Sequence, residues 1–145
     1  MSNKITPTAV DAAARRICQM FLANTGGEPL LQLDASLIEA VRQEGFDIAV
    51  ETNGTLLPAA QLDWVCVSPK AGAELKLIEG DELKLVYPQA GLDAAALLEH
   101  RFTHFWLQPM DGANRAENTT KAAAFCQENP PWRLSLQTHK LIGIP

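Results

Sequence analysis

Trp64-Val65-Cys66-Val67-Ser68-Pro69-Lys70 carries the pattern on which the fold turns. A short apolar run rich in β-branched and aromatic residues gives way at once to a hydroxyl, a proline and a cation. A run this brief, stopped by proline, reads as a buried strand rather than a helix. The same pattern recurs downstream. Leu83–Val86 runs into Tyr87-Pro88-Gln89, Phe102–Leu107 into Gln108-Pro109-Met110-Asp111, and Trp132–Leu136 into Gln137-Thr138-His139-Lys140. Upstream, Phe46–Val50 runs into Glu51-Thr52-Asn53-Gly54, and Met20–Asn24 into Thr25-Gly26-Gly27-Glu28-Pro29, with Met20–Ala23 as the strand.

Helical signals lie between these runs. Thr6-Pro7 is a hydroxyl cap followed by proline, and Val10, Ala13, Ala14 and Ile17 then keep a helical period. Asp34 or Ser36 can cap a second helix with Leu37, Ile38 and Val41 facing inward and Gly45 as its stop. Further helices are expected around Leu92–Glu99 and from about Glu117 to Glu128, the latter ending at Pro130-Pro131. Short apolar strands separated by helices predict an α/β domain with a mostly parallel sheet, because parallel strands need crossover connections. No repeat, low-complexity tract or linker divides the chain, so residues 1–145 are read as one domain.

Composition narrows the function classes. Of 145 residues, 47% are hydrophobic, enough to bury a core, and twelve basic against seventeen acidic side chains give a formal charge of −5. Such a surface does not invite a phosphate backbone or an anionic membrane, so neither nucleic acid nor membrane is expected as a partner. No apolar run approaches bilayer length and no signal pattern opens the chain, which makes the cytoplasm the expected compartment. Cys18, Cys66 and Cys126 are widely spaced and odd in number, which argues against a disulfide framework or a local cysteine metal site. Their bland reading is packing.

In parallel sheets and barrels, ligands bind beyond the carboxyl ends of the strands, where the polar clusters above would converge. Turn chemistry accounts for Asn53-Gly54. It accounts less well for the paired glycines beside Glu28, which let a ligand lie directly against the main chain. Taken singly, Lys70 reads as a solvated charge, His139 as a loop histidine, Asp111 as a turn cap and Pro145 as a chain end.

Together, TGGEPLLQLD (Thr25–Asp34), ETNGT (Glu51–Thr55), VSPK (Val67–Lys70), LQPMDG (Leu107–Gly112) and WRLSLQTHK (Trp132–Lys140) resemble the 7-carboxy-7-deazaguanine synthase family of radical S-adenosylmethionine (SAM) enzymes. The resemblance runs from about Thr25 to Pro145, after an atypical helix and strand in residues 1–24. GGEP marks radical SAM proteins broadly, whereas SPK, QPMD and QTHK with a closing Pro145 are narrower. The resemblance implies a partial parallel (β/α) barrel that binds SAM against a [4Fe–4S] cluster. Reductive cleavage would give a 5′-deoxyadenosyl radical that abstracts hydrogen from 6-carboxy-5,6,7,8-tetrahydropterin. A Mg2+-assisted ring contraction would then expel ammonia on the way to queuosine and related 7-deazapurines.

Carried over by position, the resemblance implies SAM contacts from Gly27, from Ser68, Pro69 and Lys70, and from Gln108, Pro109, Met110 and Asp111. It implies pterin contacts from Thr25 and from Pro145 through its terminal carboxylate, with Gln137 and His139 as further pocket liners. The family's cluster loop, with three cysteines and a Mg2+-binding threonine, and its first strand have no counterpart in the residues matched. Thiolates must converge on a single cluster, which the three separated cysteines do not offer. The chain alone is therefore expected to be inactive. The alternative reading is a non-catalytic SAM- or nucleotide-binding remnant, or a scaffold for a partner. The Met20–Ala23 strand is expected to form an open sheet edge prone to pairing with another chain. The family commonly works as a homodimer, although no residue here marks an interface.

Overall fold

The computed structural model describes residues 20–22 and 27–144. The helix expected after Thr6-Pro7, Cys18, Thr25 and Pro145 lie outside them. Six strands form one all-parallel sheet in chain order: β1 (Met20–Leu22), β2 (Ile48–Thr52), β3 (Trp64–Val67), β4 (Glu79–Tyr87), β5 (Arg101–Pro109) and β6 (Trp132–Leu134). β1 and β6 stand at opposite edges, so the sheet is an open, partial barrel. Among the described residues, no helix is long and apolar enough to cross a membrane.

The helices build the packed face. Helix α1 (Ala35–Gln43) starts where the Asp34 carboxylate accepts the Leu37 N–H at 2.8 Å, a side-chain N-cap. It stops at Gly45, whose φ of 80° is a left-handed conformation that glycine adopts without steric penalty. Its buried Ile38 and Val41 pack with Ile48 and Val50 of β2, Leu33 and Leu62. Helix α2 (Arg115–Glu128) buries Ala122 against a larger cluster containing Val67, Leu83, Leu85, Phe105, Leu107 and Trp132. Trp132 anchors it: its ring meets Phe105 edge-on at 5.3 Å, and its indole N–H donates to the Ala94 carbonyl at 3.1 Å.

Strand alternation sends the remaining side chains to the opposite face. Glu51, Cys66, Glu82 and His104 share one lateral row, and Lys84, Trp106 and Arg133 the next. Two aspartates extend the ladder at the amino ends of the strands. Asp63 accepts the Ile48 N–H at 2.9 Å, and Asp81 accepts the Val65 N–H at 2.7 Å.

Three expectations need correction. The segment around Leu92–Glu99 is not an α-helix but a loop closed by one 3-10 turn, Ala96–Glu99; Gly91, at φ 84°, turns the chain just before it, and Ala94 and Leu97 anchor it in the core with Leu92 and Leu98 packed beside them. The β2–β3 and β3–β4 crossovers contain no helix, so helices separate only some of the strands. β4 begins at Glu79, four residues before the apolar run. Its polar start is exposed to half-buried, and Gly80 lies so close to Val65 and Phe102 that an added Cβ would stand 3.1 Å from each. Elsewhere the ends move by small amounts: β2 starts after Phe46, and β6 stops before Leu136.

Candidate functional site

A cleft of about 310 Å3 lies at the carboxyl ends of β2 and β3, lined by Gly27, Pro29, Glu51, Thr52, Asn53, Ser68 and Lys70. Its geometry starts with Glu28. One carboxylate oxygen accepts the Thr52 hydroxyl at 2.5 Å and the Leu30 N–H at 3.2 Å; the other accepts the Asn53 N–H at 2.9 Å. The glycine segment is thereby stapled to the end of β2. The Thr52 hydroxyl is buried and in turn accepts the Gly54 N–H at 3.1 Å. The Asn53 carboxamide accepts the Thr55 N–H at 2.9 Å, closing the turn. Beside it, the buried Ser68 donates its N–H to the Thr52 carbonyl at 2.7 Å, and its hydroxyl accepts from the exposed Lys70 ammonium at 3.1 Å.

The rim continues towards β6 as a chain of hydrogen bonds. Gln89 Nε2 reaches the Pro69 carbonyl at 3.5 Å, and the Met110 N–H donates to the Tyr87 carbonyl at 2.7 Å. The buried Asn118 of α2 donates through Nδ2 to the Met110 carbonyl at 3.0 Å. Asp111 then meets Lys140 at 2.5 Å, and this hydrogen-bonded ammonium holds the Asp111 carboxyl below its usual range. Lys140 belongs to the short helix α3 (Thr138–Leu141), so this pair ties the last segment of the chain to the end of β5.

The structure thus gathers Gly27, Ser68 and Lys70 around one cleft, with Pro69 buried behind them. Gln108, Pro109, Met110 and Asp111 stand on the same edge of the sheet, two strands further on, and do not line that cleft. Pro109 instead shares a shallow depression with Gln137 and Lys140, while His139 is exposed on α3. Sequence reasoning passed over Thr52, read as part of a turn, and Asn118. A signal for Asn118 existed. An asparagine inside a helix, spaced i,i+4 from the buried Ala122, is a poor helix former with no reason to face the sheet unless it has a partner there.

A second cavity of about 410 Å3 opens on the polar face, lined by Ala49, Val50, Glu51, Trp64, Cys66, Glu82 and Lys84. Glu51 borders both cavities and pairs with Lys84 at 2.6 Å. Burial, helped by the Glu51 charge, pushes the Cys66 thiol up to about 12. Trp64 stacks near His104 with ring centres 6.2 Å apart, and Arg133 lies 5.6 Å over the Trp106 ring.

No family model matches the chain. It is 56% identical over 125 residues to a 7-carboxy-7-deazaguanine synthase of Bordetella pertussis, covering 86% of this chain and 60% of that protein. The synthase of Bradyrhizobium diazoefficiens is 55% identical over 124 residues, 86% of this chain and 59% of its own. That of Caulobacter vibrioides is 53% identical over 121 residues, 83% and 58% respectively. Over most of its length the chain is similar to the 7-carboxy-7-deazaguanine synthases. It spans about 60% of the length of these relatives.

The donor set of the cleft fits part of a SAM molecule. Lys70 offers a cation to a carboxylate, Ser68 and Asn53 offer hydroxyl and amide groups, and Gly27 leaves main chain unshielded by a side chain. The described residues do not fit the iron–sulfur cluster of the 7-carboxy-7-deazaguanine synthases. Cys66 lies within β3 on the polar face with its thiolate strongly disfavoured, whereas Cys126 packs on α2 against the core of the other face. Nor, among the described residues, is any group of three or more His, Cys, Asp or Glu side chains placed to hold a metal ion.

Proposed function

We propose that this chain forms the SAM-binding edge of a 7-carboxy-7-deazaguanine synthase acting on 6-carboxy-5,6,7,8-tetrahydropterin in 7-deazapurine biosynthesis. The observation that carries the reading is the cleft that brings Gly27, Ser68 and Lys70 together at the carboxyl ends of parallel strands. SAM, when bound, supplies the hydrogen-abstracting chemistry of such an enzyme, a radical SAM lyase. The chain's own residues bind and orient. Lys70, steadied by the Ser68 hydroxyl, faces the carboxylate of the amino-acid moiety, and Glu28 fixes the segment on which that moiety lies. Gln108, Pro109, Met110 and Asp111 meet the adenosine side, and Thr25 and Pro145 the pterin.

In this reading the partner is a cytoplasmic small molecule rather than nucleic acid or membrane, in keeping with the charge of −5, and the working form is a homodimer. The placement of Cys66 and Cys126 supports a chain that binds SAM without turning it over by itself. Anaerobic calorimetry with SAM tests the binding. The wild-type chain is expected to bind and Lys70→Ala to bind at least about tenfold more weakly, the scale of a charge-assisted hydrogen bond. Reconstitution with iron and sulfide is expected to give neither a brown chromophore nor 5′-deoxyadenosine. Equal affinity of the two proteins removes the assignment of Lys70, and product formation removes the binding-only reading.

A further inference from the structure

We infer that Asn118 is a positioning residue that holds the 108–111 segment in its ligand-competent conformation. The described residues include three buried polar side chains, Thr52, Ser68 and Asn118, and all three serve the rim at the carboxyl ends of the strands. Thr52 and Ser68 stand on it. Asn118 reaches it from behind: it is only 9% exposed, on the sheet-facing side of α2, and donates to the Met110 carbonyl at 3.0 Å. The Met110 N–H is in turn taken by the Tyr87 carbonyl at 2.7 Å. Both main-chain groups of Met110 are therefore committed away from the rim, one to β4 and one to α2. Neighbouring Asp111 is turned to Lys140.

Burying a carboxamide is costly unless it is hydrogen-bonded, and an apolar residue would serve the packing of α2 beside Ala122 equally well. What an apolar residue cannot do is fix the direction of the Met110 peptide. The inference rests on the SAM-binding reading above, in which this segment meets the adenosine side.

The experiment uses the full chain, with SAM as the probe, and the variants Asn118→Asp and Asn118→Ala measured at pH 8 and pH 5. Asparagine and aspartate have the same shape, but an ionised carboxylate turns an acceptor towards the Met110 carbonyl. The expected result for N118D is an affinity about tenfold below wild type at pH 8, the scale of one hydrogen bond. Burial beside a carbonyl raises an aspartate above its usual range, so that affinity returns towards wild type at pH 5 as the carboxyl takes up a proton and donates again. N118A stays weak at both values, and the wild-type affinity sets the reference at each pH. Amide hydrogen exchange separates positioning from unfolding: the expected acceleration is confined to residues 110–113 and leaves β2 and β3 unchanged. Variants that bind like wild type, or that speed exchange throughout the sheet, overturn the positioning role while leaving the SAM reading intact. A wild-type chain that binds no SAM removes that reading and the inference with it.

Discussion

The Glu28 carboxylate and the Thr52 hydroxyl meet at 2.5 Å, joining the segment that follows β1 to the carboxyl end of β2. Thr52 is 2% exposed, so the bond is made away from competing water. Removing the carboxylate leaves a buried hydroxyl and the Asn53 N–H without their acceptor.

Glu28→Ala is therefore expected to destabilise the fold by about 1–3 kcal/mol, the cost of stranding buried donors. Urea denaturation measures it. A double-mutant cycle with Thr52→Val should show coupling of about 1 kcal/mol, and strict additivity would mean that the contact contributes nothing.

Gly54 and Gly45 make a matched pair for testing backbone strain. Both have positive φ, 78° and 80°, but a Cβ on Gly54 would lie 2.5 Å from Leu75 Cδ1 and 2.7 Å from Val67 Cγ1, whereas Gly45 has open space. Gly45→Ala should cost about 1–2 kcal/mol from backbone conformation alone. Gly54→Ala adds overpacking and should cost about 2–4 kcal/mol. Denaturation midpoints that coincide would contradict the packing around Gly54.

Cys66 should resist alkylation. Burial and the nearby Glu51 raise its thiol from 9.0 to about 12, so almost no thiolate exists at pH 8. Iodoacetamide treatment of the native chain, read by mass spectrometry, should leave Cys66 unmodified and label it only on unfolding. Because the folded state disfavours the thiolate, this residue leaves stability unchanged below pH 9 and weakens it as pH climbs from 9 towards 12.

The Asp111–Lys140 pair should respond to acid. The ammonium lowers the Asp111 carboxyl below 3.8, so the tie is complete above the usual carboxylate range and is lost as pH falls through the lowered value. In Lys140→Met the Asp111 carboxyl should titrate closer to 3.8, a shift that carbon-detected NMR of the side chain can follow. An unmoved titration would show that the ammonium does not govern it.

The chain's own residues settled the strands and the edge on which a site must lie. Runs such as Trp64–Val67 and Phe102–Leu107 are short and rich in β-branched and aromatic residues, as strands are, and the polar clusters after them mark their carboxyl ends. Asp34 or Ser36 and Gly45 announced the ends of α1, of which the structure uses Asp34 and Gly45, because capping is a local matter of one side chain and one backbone angle. The first half of β4 was not legible, since Glu79, Gly80 and Asp81 carry no apolar signal. They form a strand because β5 supplies ladder partners, Arg101 opposite Glu79 and Phe102 opposite Gly80.

Tertiary structure alone decided how the polar clusters divide. Nothing in the order of the motifs said that Gly27, Ser68 and Lys70 would share a cleft while Asp111 turned to Lys140 two strands away. Nor did it say that Asn118 would reach back eight residues to Met110. Those pairings join groups distant along the chain or across a helix. They depend on the register and curvature of the whole sheet, which is set by packing summed over many contacts rather than by any local run of residues.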